Sequence, residues 1–228
     1  MEVLLRHRFV TGLTLEYHGS TRVHQEVQHA GVTTSETDNE WESVMVQRVL
    51  AVDNDGSGHV VTRALPWVED AHQRATAIEE QHQVTYVLME PLGKVRTAST
   101  PTPPSTYTFP VEAVAAGVQW ESATLFPLPP SGQVAQVPFF YRLRGLETYN
   151  DAQCAVIEVE APGNEWELTL PESGESVMVT LETRGLIYFD YVRGFMVRTE
   201  METATQPRLG AQTVCTVTTS VQELISAS

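Results

Sequence analysis

Residues 135–161, AQVPFFYRLRGLETYNDAQCAVIEVEA, and 176–204, SVMVTLETRGLIYFDYVRGFMVRTEMETA, decide the fold class. Each reads as two apolar-rich extended runs around a short polar turn, the pattern of a β-hairpin. Valine, isoleucine, threonine and aromatic side chains fill the runs, and these pack well on a pleated, half-buried surface. Nothing between the two hairpins looks like a reactive centre. The expected class is all-β, with mainly antiparallel, curved sheets that form a sandwich or an open half-barrel.

Outward from these hairpins the same signals recur. Strands are expected at 3–17, 22–30, 41–53, 58–65 and 84–90, and again at 165–170 and 211–225. In 41–53, Val44, Val46, Arg48, Leu50 and Val52 share one face, while Trp41, Ser43, Met45, Gln47 and Val49 share the other. The connection Asp53-Asn54-Asp55-Gly56-Ser57-Gly58 tolerates positive φ, so 41–65 reads as one long hairpin. A calcium loop there fails in register. With Gly56 in sixth place, Ala51 stands where the first acidic ligand belongs and Thr62 where the bidentate glutamate belongs. The tail alternates as a half-buried strand does, with Val214, Thr216 and Thr218 opposite Cys215, Val217 and Thr219.

Residues 66–82 break the pattern and predict a helix. Pro66 suits a first turn, Glu69 and Asp70 sit near the positive end, and Trp67, Ala71, Ala75 and Ile78 fall on one stripe. The proline-rich run at 99–110, STPTPPSTYTFP, suits neither ladder nor helix and marks the best boundary. It divides an N-terminal β-rich lobe, 1–98, which holds the helix, from a C-terminal antiparallel lobe, 111–228.

Composition narrows the function classes. A chain of 228 residues, 42% of them hydrophobic, can bury a substantial core. Its formal net charge is -15, from 29 acidic against 14 basic residues. A phosphate backbone or an anionic membrane would be repelled, which argues against nucleic acid as a partner. Lys94 is the single lysine. No run approaches the roughly 18 apolar residues of a transmembrane helix, and MEVLLRHRF lacks the apolar stretch of a signal peptide. An extracytoplasmic place, periplasm or cell surface, is expected if Met1 follows a removed leader, and a cytoplasmic one otherwise.

The chemistry-bearing residues are scattered. Cys154 and Cys215 each sit in a strand-like run, which leaves two readings open: a disulfide, if the Cα atoms lie within about 7 Å, or two buried free thiols. His24 and His29 point to opposite faces of a strand, and His72 and His82 lie turns apart on the expected helix. Neither pair has the spacing a zinc site favours, so no metal and no cofactor are expected. No GxSxG is present. Glu158 with Glu160, and Glu200 with Glu202, lie on what alternation makes solvated outer faces. The aromatic residues Trp120, Phe139, Tyr141, Tyr188 and Phe195 are more suggestive. Either they line an apolar cavity that a curved sheet leaves unfilled, or they pack as ordinary core.

Three stretches carry a resemblance: LRHRFVTGLTLEY at 5–17, FPVEAVAAGVQWESATLFPLP at 109–129, and YRLRGLETYNDAQCAVIEVE with GLIYFDYVRGFMVRTEMET at 141–203. Together they resemble an uncharacterised group of bacterial, mostly exported β-rich proteins, a domain of unknown function. The resemblance implies no activity and no catalytic residues. The expected layout, a bent antiparallel sheet with a helix on one side, is also similar to the open half-barrels of bacterial lipoprotein and lipid carriers. From these signs the expected function is non-enzymatic: a cell-envelope protein that holds an apolar small molecule or a partner between curved sheets. An adaptor that binds proteins without a ligand cavity is the second expectation.

Overall fold

Two-residue turns set the long hairpins of this protein. Asn150 and Asp151 both take positive φ, 45° and 61°, which is the type I′ turn whose twist matches antiparallel strands. Ala30 and Gly31 do the same at 49° and 80°. Between such turns the strands run far longer than the sequence reading expects.

The computed structural model describes residues 1–70, 73–74, 84–100, 107–128, 133–169 and 174–228. Among them the strands are β1 (Glu2–Val3), β2 (Thr14–His29), β3 (Val32–Val52), β4 (Gly58–Pro66), β5 (Thr85–Met89), β6 (Val95–Ala98) and β7 (Val114–Ala115), followed by β8 (Gln119–Leu128), β9 (Gln133–Tyr149), β10 (Ala152–Thr169), β11 (Ser176–Asp190), β12 (Phe195–Leu209) and β13 (Gln212–Ala227). β1 pairs with β7, and the other eleven form one antiparallel sheet in the order β6-β5-β4-β3-β2-β13-β12-β11-β10-β9-β8. The fold is all-β and the sheet is not closed into a barrel. The ladder from Gln212↔His29 to Ala227↔Leu15 joins the strands before the proline-rich run to those after it.

Two expectations need correction. Only the end of the expected strand at 3–17 joins the large sheet, because Gly12, at φ 90°, breaks the run before Thr14. Residues 4–13 instead form a strap across the sheet. The expected helix at 66–82 also starts later than its Pro66, which pairs with Ser43 at the end of β4. Residues 73–74 are helical, with Arg74 N–H donating to the Asp70 carbonyl at 2.9 Å. Most of the expected helix, 71–72 and 75–82, lies outside the described residues.

Register and alternation sort the charges. On β2, β3, β12 and β13 every Asp, Glu and Arg falls on one face, called here the outer face. There Arg22 meets Glu40, Arg198 meets Glu200 and Glu223, and Arg184 of β11 meets Glu202. Trp67 and Arg74 pack on this face as well. Trp67 lies 4.2 Å from the His18 ring, and Arg74 pairs with Glu16. The inner face carries the main core, built on Phe139 and Tyr141 of β9, Ile157 and Val159 of β10, and Ile187 and Phe189 of β11. Val3, Leu5 and Phe109 cover that core from outside the sheet, so the N-terminal segment closes a core built by strands of the second half.

Candidate functional site

The strap builds the site. Its backbone is pinned to both halves of the sheet: His7 N–H donates to the Pro91 carbonyl at 2.7 Å, Arg8 N–H to Gly194 at 3.1 Å, and Gly12 N–H to Val49 at 2.9 Å. Two glycines let it sit this close. A Cβ on Gly58 would stand 2.4 Å from the Phe9 ring, and one on Gly194, which also holds φ at +81°, would stand 2.5 Å from the Arg8 backbone nitrogen.

Beneath the strap lies a cavity of about 260 Å³ against the inner face. Cross-strand register gives its floor two parallel rows. Val49, Val60 and Val87 are direct partners on β3, β4 and β5, are all buried, and form the apolar row. Gln47, Thr62 and Thr85 are direct partners on the same strands and form a polar row. Leu15 and Tyr17 of β2 and Phe195 of β12 wall one side, and His7, Phe9 and Leu13 of the strap form the roof.

The histidine and the tyrosines of the cavity are held uncharged. His7 keeps some accessible surface on the cavity, but protein encloses it between Phe9, Phe109 and Phe189, at ring distances of 5.7, 5.3 and 5.4 Å. That burial pushes its imidazole down to about 4, against a smaller opposing pull from the Gly194 backbone. Burial also raises the Tyr17 phenol, whose O–H donates to the Met196 carbonyl at 3.1 Å, and pushes the Tyr107 phenol up to about 12. Arg8 is the one formal charge among the lining residues, and it is exposed.

The five aromatic candidates do not converge. Phe195 lines the cavity. Phe139 and Tyr141 are buried in the main core, where Tyr141 stacks on Trp120 at 5.6 Å and the Trp120 indole donates to the Thr108 carbonyl at 2.9 Å. Tyr188 lies on the outer face, 5.0 Å from Tyr149. The residues that form the cavity floor were hidden because the face of β3 that carries them, with Met45 and Gln47, is the less apolar one. The signal was the glycine at position 12, which frees the preceding residues, 4–11, to leave the sheet.

Both cysteines are free thiols. β11 and β12 separate their strands, a lateral distance of roughly 14 Å. Along the ladder Thr216 pairs Thr205, Thr205 pairs Leu181, and Leu181 pairs Asn164, so Cys215 lies level with Asn164, far along β10 from Cys154. Burial, with the Asp190 charge adding to it, pushes the Cys154 thiol up to about 11, which keeps it protonated and unreactive.

Other constellations read as architecture. Asp53 to Gly58 is the expected hairpin turn, with Asp55 accepting the Ser57 N–H at 3.0 Å and pairing with Arg96. Those backbone and side-chain donors hold the Asp55 carboxyl down at about 2. Ligand-type atoms of His24, Glu36 and Asp38 lie within 4.8 Å of one another. Their residues are solvent-facing members of a row of cross-strand charge pairs, in which His24 Nδ1 meets Asp38 at 2.9 Å, and that hydrogen bond raises the imidazole.

No protein-family model and no curated protein matches the sequence. Among solved structures the chain is similar to a lipovitellin, described under "lipid-protein interactions in lipovitellin", at TM-score 0.47 and 10% identity; the match covers 96% of this chain and 26% of that one. It is also similar to Ail, the attachment invasion locus protein of Yersinia pestis, at TM-score 0.22 and 10% identity, over 95% of this chain and 100% of that one. This chain thus spans about a quarter of the lipovitellin's length. Likenesses of that strength assign no activity.

Proposed function

We propose that this protein is a non-enzymatic binding protein of the cell envelope that holds an apolar small molecule between the strap and the inner face of the sheet. The observation that carries this reading is the cavity of about 260 Å³, with its apolar row Val49-Val60-Val87 facing a roof of Phe9 and Leu13. Apolar cavities of about 150 Å³ already take up benzene, so about ten non-hydrogen atoms fit here. An uncharged His7, protonated tyrosines and an unreactive Cys154 suit storage rather than acid, base or nucleophilic work. The cell-envelope placement rests on the sequence resemblance to exported β-rich proteins.

Fluorescence titration with naphthalene tests the reading. The protein should bind it saturably, and Val60→Phe, which projects a ring into the cavity, should abolish binding while the protein stays folded by circular dichroism. Binding that Val60→Phe leaves untouched would place the apolar site elsewhere and sink the proposal. The adaptor reading is favoured by one feature, the outer edges of β6 and β8, which have no strand partner among the described residues and could accept a strand from another chain.

A further inference from the structure

Resting on that reading of the cavity, we infer that the ligand is an amphiphile with an uncharged, hydrogen-bonding head group, such as an alcohol or amide, seated on the row Gln47-Thr62-Thr85. The row is a product of register. Gln47 pairs Thr62 and Thr62 pairs Thr85, so three polar side chains stand side by side on the inner face across β3, β4 and β5. All three are half-buried at the cavity. Among the described residues, none of the three side chains makes a hydrogen bond within the protein. Their polar atoms are not sealed off but stay accessible at the cavity, where a ligand's hydrogen-bonding group can meet them. The fold keeps these three beside the apolar row Val49-Val60-Val87, where a ligand's tail would lie. The amide of Gln222 on β13, whose nitrogen among the described residues reaches only the Met45 sulfur at 3.5 Å, adds a fourth group of the same kind.

The row offers two hydroxyls and an amide, which can donate and accept but carry no charge. An ionised head would lie on this row without a cation to compensate its lost hydration. Arg8 stands on the strap, not on the row, and is exposed. The acidity of the whole chain, net -15, further disfavours an anion. A neutral head with one donor and one acceptor matches what the row presents.

The experiment compares 1-octanol with octanoate at pH 8 by isothermal titration calorimetry, on the full chain, on Thr62→Val/Thr85→Val and on Gln47→Leu. Valine keeps the shape of threonine and its preference for strands, so the double variant removes hydroxyls without opening a void. The expected result is 1-octanol binding at least tenfold tighter than octanoate. The double variant should lose about tenfold for 1-octanol and keep its naphthalene affinity. Should the double variant fail to fold, Gln47→Leu reads the same loss. Octanoate binding as tightly as 1-octanol, with loss on Arg8→Gln, overturns the head-group inference and leaves the carrier reading standing. Unchanged 1-octanol affinity in both variants also overturns it. If neither amphiphile nor naphthalene binds, the carrier reading falls with it.

Discussion

The two ends of β2 and β3 are made of the same strands under opposite conditions. At the end near the strap, Leu15, Tyr17, Val44 and Val49 are buried, with Val44 fully so. At the Ala30-Gly31 turn, residues 32–42 are all exposed, Val32 at 66% and Trp41 at 49%. Ladder hydrogen bonds and cross-strand pairs such as Arg22 with Glu40 hold the far end. Tertiary cover from the strap and from the Trp67 segment holds the near end. The difference teaches that the sheet's regularity does not need a core along its whole length, whereas the cavity depends entirely on the cover at one end.

Breaking the cover should have the largest effect. Leu5 of the strap is fully buried in the main core, and Leu5→Ala should cost about 2–5 kcal/mol in urea unfolding. Gly58→Val pushes a branched side chain into the Phe9 ring and should cost roughly 1–3 kcal/mol. Limited proteolysis should then cut near residues 4–13 before the rest of the chain. If the far end carried the stability instead, neither variant would move the urea midpoint much.

Protonation gives a second way to lift the roof. His7 titrates at about 4 in the folded protein against 6.5 ordinarily, so the unfolded chain takes up the proton first as pH falls. Stability from the neutral imidazole is whole above pH 6.5 and drains away between there and pH 4, by up to about 3 kcal/mol. His7→Phe, a ring that suits the surrounding Phe9, Phe109 and Phe189, should flatten that part of the stability curve. An equal slope in protein and variant would mean the loss comes from other groups. Asp55, held at about 2, contributes in a separate window, lost only as pH falls below its ordinary 3.8.

Changes at the far end should be small. Ala30→Gly relieves a left-handed backbone at φ 49° and should gain about 1 kcal/mol. Arg22→Ala should change stability by no more than about 0.5 kcal/mol, since both members of its pair with Glu40 are more than half exposed. A larger loss from Arg22→Ala would show that the charged outer row, rather than the ladder, sets the register there.

The near and far ends also separate what the sequence reveals from what it hides. The hairpins at 135–161 and 176–204, the turn at 53–58 and the alternating tail were legible because period and turn chemistry are local properties. The same alternation placed Glu158, Glu160, Glu200 and Glu202 on outer faces, where Arg142 pairs Glu158 and Arg198 pairs Glu200. The strap was not legible. Residues 4–13 have strand composition; Gly12 marks only where the run breaks, and the partners that hold the strap, Pro91 and Gly194, are distant in sequence. Of the five aromatic residues only Phe195 lines the cavity, because large rings fill space. Phe139 and Tyr141 follow the second of their two readings and pack as core, and the void lies over small residues such as Val60 and Thr62.

Paired native and denaturing mass spectra, recorded on the protein and on Val60→Phe after incubation with naphthalene, test the central claim most directly. The account predicts a complex of one chain and one small molecule in the native spectrum of the unaltered protein, absent from Val60→Phe, and the bare chain for both after denaturation. The same native spectrum for the two proteins, with or without the small molecule, would contradict it.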